Sequence, residues 1–210
     1  ALVGNMTIID GGDTINLRTM GTGGWSVPSI VENNVIQFGE TEAKFVLYVE
    51  KGAVWSRLNE DKFWRTMNCM LIHGGGMASR GVRRMLRRMR EELKLPVFVI
   101  TDCDPWGFYI YSVIKQGSMS LSFESERMAV PDAKFLGVSI FDVNRFSIPN
   151  STSIKLEDGD IQKCEQIKAY PWFKQQEWQK EINEMLRVKK KYEIEALSAK
   201  GIKFITQEYI

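Results

Sequence analysis

Short apolar runs that do not alternate with polar residues recur along the chain: Ala43 to Val49 (AKFVLYV), Asn68 to His73 (NCMLIH), Val97 to Ile100 and Ala133 to Ile140 (AKFLGVSI). A run of four to eight apolar, β-branched and aromatic residues bounded by turn signals predicts a strand covered on both faces, as in a parallel sheet. Between them lie helical patterns, with turns over Ala53 to Leu58 and Phe63 to Met67 and a long helix over Ala78 to Leu93. In that helix Val82, Met85, Leu86, Met89 and Leu93 recur every three or four residues, forming one apolar stripe, and Pro96 stops it. Trp106 to Lys115 is apolar nearly all round, which predicts a helix buried against the sheet or a subunit partner. Strands alternating with helices give an α/β fold.

The flanks read differently. Met6 to Asn16 has two β-prone runs around Asp10-Gly11-Gly12-Asp13, a hairpin signal, and residues 18 to 28 are a glycine-rich loop. Ser29 to Phe38 fits a short helix or a strand equally well. Met119, Leu121 and Phe123 alternate with serines, which predicts an extended segment with one apolar face. After Phe141 the sequence is loop-like to Leu156. Helices are then expected over Ile161 to Lys168, capped within Asp158-Gly159-Asp160, over Gln175 to Leu186 and Lys191 to Leu197, with a short last one toward Tyr209.

The chain has 210 residues, 44% hydrophobic and 26% charged, with a formal net charge of +2. Global charge therefore does not announce a nucleic-acid binder, and local clustering has to carry any such reading. No apolar run reaches the roughly 20 residues that span a bilayer, so no membrane partner is expected, and a cytoplasmic, nucleoid or nuclear location follows. Cys69, Cys103 and Cys164 are odd in number and scattered, which fits reduced thiols and no zinc site. His73, the only histidine, excludes a multi-histidine metal centre and reads as a turn or core residue.

The candidate chemistry lies where the third apolar run ends, in Asp102-Cys103-Asp104-Pro105-Trp106-Gly107. In extended backbone Asp102 and Asp104 leave one side while Cys103 points away, and two like charges side by side repel. At the carboxyl end of a parallel strand, where open α/β sheets bind ligands, a divalent cation held by oxygen donors relieves that repulsion. Glu50 ends the strand over Ala43 to Val49 and is the candidate third ligand if both strands share one parallel sheet. The helix over 78 to 93 carries Arg80, Arg83, Arg84, Arg87, Arg88, Arg90 and Lys94 against Glu91 and Glu92. Such a run is usually a solvated face, but beside a metal it reads as a phosphate-backbone contact through Arg80, Arg83, Arg84, Arg87 and Arg88. Gly21, Gly23 and Gly24 are not followed by a lysine and a helix, so a phosphate loop is set aside. An Asp-x-Asp pair also suits a metal-dependent nuclease or primase, a nucleotide-sugar transferase, or a non-catalytic dimerisation module in which the aspartates cap or pair.

Several ordered blocks resemble a known family. Val49-Glu50-Lys51-Gly52-Ala53, the glycine turn before the arginine helix, Asp102 to Gly107, Lys115-Gln116-Gly117-Ser118-Met119-Ser120 and Pro131-Asp132-Ala133-Lys134-Phe135-Leu136-Gly137 resemble the Toprim region of the A subunit of DNA topoisomerase VI and of its meiotic double-strand-break relative. The resemblance implies a Toprim, Rossmann-like α/β fold: a small parallel sheet flanked by helices, with an N-terminal β-hairpin and a helical C-terminal extension. It divides the chain into an extension over 1–40, a Toprim core over 41–145 and the helical extension over 146–210. It implies Mg²⁺ held by Glu50, Asp102 and Asp104, with Glu50 also a candidate proton shuttle, in an ATP-dependent type IIB topoisomerase that breaks both strands of duplex DNA. The implied partners are double-stranded DNA, a second A subunit in a homodimer and an ATP-binding B subunit in a heterotetramer. The family's nucleophilic tyrosine belongs to a winged-helix domain before the Toprim region; none of Tyr48, Tyr109, Tyr111, Tyr170, Tyr192 and Tyr209 has that context, so a fragment inactive by itself is expected. His73-Gly74-Gly75-Gly76 departs from relatives that carry a lysine among the glycines, so a phosphate contact by that lysine does not transfer.

Overall fold

The computed structural model describes residues 1–118, 122–201 and 203–210. Strand β1 (Leu2–Gly4) comes first, then the hairpin β2 (Met6–Asp10) and β3 (Asp13–Asn16), with Asp10 opposite Asp13. Gly11 and Gly12, at φ 59° and 93°, supply the two left-handed positions that a two-residue turn needs. Strand β4 (Ile36–Thr41) lies antiparallel to β2, which settles the open choice over 29–38 in favour of a strand at its end.

The second sheet starts with β5 (Phe45–Val49), followed by α1 (Gly52–Glu60), α2 (Phe63–Thr66), β6 (Cys69–Ile72), α3 (Arg80–Glu92), β7 (Val97–Ile100), α4 (Pro105–Gln116), α5 (Ser122–Met128) and β8 (Lys134–Gly137). Its strand order is β1-β6-β5-β7-β8, with β5 parallel to both β6 and β7 and β1 antiparallel to β6. The sheet is thus mixed at its β1 edge, where a purely parallel one was expected. Three residues are too few to show periodicity, so β1 left no signal. Val46 to Val49, Cys69 to Ile72, Val99 and Ile100 are all fully buried, which is why these strands carry no alternation.

The remainder holds α6 (Asp142–Arg145), β9 (Ile154–Lys155), α7 (Asp158–Ala169), α8 (Gln176–Val188) and β10 (Lys190–Lys191), with a 3-10 stretch over Ile194–Lys200 where an α-helix was expected. The cap of α7 is Glu157, not a residue within 158–160; Glu157 and Asp160 form a reciprocal capping box. Of the extended segment expected around Met119 to Phe123, residues 119–121 lie outside the described residues. Phe123 is in α5 and 80% exposed, so it is not a strand residue. By their contacts the described residues form two compact units, Ala1–Ile100 with Val113–Phe135, and Thr101–Ser112 with Leu136–Ile210. No helix among the described residues is long and apolar enough to cross a membrane.

Candidate metal centre

In the first unit, Glu50 follows β5 and is half-buried. Its N–H donates to the Ile100 carbonyl at 3.0 Å, continuing the β5–β7 ladder to the last residue of β7. Its own carbonyl accepts from Gly76 N–H at 3.2 Å, and the Tyr48 hydroxyl donates to the Gly76 carbonyl at 2.7 Å. The glycine turn after β6 therefore folds over the end of β5 and holds the backbone at Glu50. Burial, and then the Glu50 charge, push the Tyr48 phenol above its ordinary value. His73 packs on Trp55 with ring centroids 4.8 Å apart, and burial lowers it to about 4. It is a half-buried residue at the start of the turn, packed against the core.

The second unit begins where β7 ends. Thr101 N–H donates to the Gly137 carbonyl and its own carbonyl accepts from Val138 N–H, extending the pairing past the strand. Asp102 and Asp104 are half-buried while Cys103 between them is fully buried, the alternation expected of extended backbone. Asp102 Oδ1 accepts from Ile194 N–H at 2.7 Å. Asp104 Oδ1 accepts from Gly107 N–H at 2.6 Å, capping α4 with Pro105 in the first helical position. Burial raises the Asp104 carboxyl above its ordinary value, opposed by the Gly107 amide and the Lys191 ammonium. Cys103 is pushed well above the usual thiol range by burial and by the carboxylates around it, so it is a packed thiol and not a nucleophile.

Half-buried carboxylates at a strand end, each with one oxygen aimed by a main-chain amide, are the hard, oriented oxygen donors that a small divalent cation takes. Asp104 shows the fit most directly: burial penalises its charged form, and a cation would restore it. Among the described residues no three His, Cys, Asp or Glu side chains form a ready-made cage.

The arginine helix does not present its five candidate arginines as one open basic face. Arg88 is 1% exposed: it forks onto Glu92 at 2.7 and 2.9 Å, donates to the carbonyls of Val31 and Ile36 at 2.6 and 2.7 Å, and stacks on Phe38 at 4.4 Å. Arg83 is also buried. Arg84 pairs with Glu32 at 3.0 Å, Arg80 with Glu124 at 3.4 Å, and Arg87 with Glu91 at 2.5 Å while donating to the Ala129 carbonyl at 2.6 Å. The segment over 29–38 crosses this face of α3, a long-range contact that the helical period could not reveal.

Sequence reasoning missed Glu181. It lies on α8, 7% exposed, and accepts from the Ser139 hydroxyl at 2.9 Å and from Ile140 N–H. Burial pushes its carboxyl up to about 7. On the same loop Asp142 Oδ2 accepts from Ser139 N–H at 3.0 Å and from the Tyr209 hydroxyl at 2.6 Å. Nothing marks Glu181 in the sequence, because it reads as one charge among many on an amphipathic helix.

A helix-flanked, mostly parallel sheet with an Asp-x-Asp pair just past the end of one strand is the architecture of a Toprim-type α/β domain. Residues 45–210 match the family model of the Toprim domain of topoisomerase 6 A subunits and Spo11, and residues 1–42 match that of the all-beta domain in the DNA topoisomerase VI alpha subunit. The chain belongs to the family of Toprim domains shared by the topoisomerase 6 A subunits and Spo11. It is 46% identical to the A subunit of the type 2 DNA topoisomerase 6 of Saccharolobus shibatae, over all of this chain and 56% of that protein. It is 40% identical to the counterpart in Pyrococcus horikoshii, over the whole chain and 56% of the relative, and 34% identical to the DNA topoisomerase 6 A subunit of Arabidopsis thaliana, over the whole chain and 49% of the relative. The chain spans about half the length of the curated relatives it matches. Toprim domains are generally metal-binding, and this match displaces the sugar-transferase reading.

Proposed function

We propose that this chain supplies the Mg²⁺-binding part of a type IIB DNA topoisomerase A subunit, with Glu50, Asp102 and Asp104 as the ligands. The observation that carries the reading is the register of β5 and β7: the Glu50 N–H bonds to the carbonyl of Ile100, two residues before Asp102. Bound there, Mg²⁺ supplies Lewis-acid neutralisation of charge on a scissile phosphate and a template for in-line attack. Glu50, as its carboxylic acid, gives a proton to the sugar oxygen that leaves and, as its carboxylate, takes it back when that oxygen rejoins. The attacking tyrosine comes from a winged-helix domain, and the enzyme is completed by double-stranded DNA, an ATP-binding B subunit, plus a second A subunit. Of the five candidate arginines, Arg80, Arg84 and Arg87, whose side chains keep 39%, 17% and 22% exposure, are the ones that remain available to the phosphate backbone.

Calorimetric titration of the A subunit with Mg²⁺ tests the ligand set. Asp102→Asn, Asp104→Asn and Glu50→Gln are each expected to weaken binding by about tenfold or more, and to lower DNA cleavage by the assembled enzyme in parallel. Unchanged Mg²⁺ affinity in all three would remove the metal from these residues. This chain alone is expected to leave duplex DNA uncut in Mg²⁺.

A further inference from the structure

The segment just before the 3-10 stretch is tied to the Asp102 corner by main-chain contacts, all within the second unit. Cys103 N–H donates to the Tyr192 carbonyl at 2.8 Å, and Tyr192 N–H returns to the Cys103 carbonyl at 3.1 Å. Two residues on, Ile194 N–H donates to Asp102 Oδ1 at 2.7 Å. The segment cannot easily slide. Lys191 is fastened to Asp160 Oδ2 at 2.7 Å, Asp160 is part of the α7 capping box, and the Ile194 side chain is fully buried.

A main-chain amide held in this way differs from a side-chain donor, because its direction is set by the fold and it has no rotamers to lose. An amide on one oxygen fixes the rotation of a carboxylate about its Cβ–Cγ bond, and so fixes where the second oxygen points. We propose that the Ile194 N–H is a positioning group for cation binding: residues 191–194 aim the Asp102 carboxylate and thereby set the affinity for the divalent ion. The inference rests on the metal reading above. It assigns to the main chain of the C-terminal segment a part in the site.

The backbone offers a clean test. Ile194 opens the 3-10 stretch, and Glu193 before it is extended at φ −77° and ψ 158°, the conformation that a residue preceding proline adopts. Ile194→Pro therefore deletes the donor with little backbone strain, and Ile194→Ala trims the side chain while keeping the N–H. In the intact A subunit, with thermal unfolding measured alongside, Ile194→Pro is expected to weaken Mg²⁺ binding by about tenfold while Ile194→Ala stays within about twofold of the parent. Equal affinities for the two variants, with Asp102→Asn still weakened, overturn the positioning role and leave the metal reading standing. Parent affinity in Asp102→Asn overturns both. A measurement on the unaltered protein covers the case in which the proline variant does not fold. In a ¹⁵N-isoleucine-labelled A subunit, the Ile194 amide resonance is expected to move with Mg²⁺ and saturate at the calorimetric midpoint; a resonance that stays still overturns the inference.

Discussion

Arg88 shows how far a single side chain can depart from its class. A guanidinium at 1% exposure has lost its water, and its place is secured by a fork onto Glu92, two carbonyl acceptors and the face of Phe38. Truncation leaves those acceptors buried without a donor, so Arg88→Ala is expected to cost about 3–5 kcal/mol in urea unfolding. Arg88→Lys should recover only part of that loss, because an ammonium cannot reproduce the planar fork. The sequence presented Arg88 as one of five arginines expected to meet a phosphate backbone. What it could not present was the crossing of residues 29–38 over α3. Asp102 and Asp104 are the contrary case. Their spacing about Cys103, with the strand before them, was enough to place both on one side, because period two is a property of the backbone itself.

The elements that read most clearly were β5, β6 and β7, nearly all of whose residues are buried, and α3 with its apolar stripe. Several of the shortest elements did not read, as with β1, α6 and the two-residue strands β9 and β10, since a pattern needs more than one period to be seen. The turn from β7 into α4 depends on one residue. A Cβ on Gly107 would collide with the Asp102 carbonyl oxygen and stand 2.9 Å from the Thr101 hydroxyl. Gly107→Ala is accordingly expected to destabilise the chain by about 1–3 kcal/mol in chemical unfolding. By shifting the backbone that carries Asp102, it should also weaken Mg²⁺ binding in the same calorimetric assay. Pro105 and Gly107 signalled a turn, but the close approach that makes the glycine obligatory is visible only in three dimensions.

Across the molecule, the balance of charge is set by groups that the fold has taken out of water. Glu181 accepts from Ser139 and Ile140 and is faced by Asp142, with Glu184 on its own helix, and burial lifts it from 4.5 to about 7. The folded chain therefore keeps a proton that the unfolded chain releases above about 4.5, so this contribution is present below that pH and is lost as pH rises through 7. Unfolding free energies of the parent and Glu181→Gln, compared at pH 5 and pH 8, should show the parent losing on the order of 3 kcal/mol more. By itself the amino-acid order determined the strands and helices with near-complete burial or a full stripe, the carboxylate pair at a strand end, and the family blocks. These follow from local periodicity and from residues adjacent in the chain. Only the tertiary structure decided that β1 joins the sheet in the opposite sense, that Arg88 is interior, that the Ile194 amide meets Asp102 and that Glu181 is buried against Ser139 and Ile140. Each depends on partners far apart in the chain, and no local pattern encodes which distant backbone group will arrive to satisfy a buried charge.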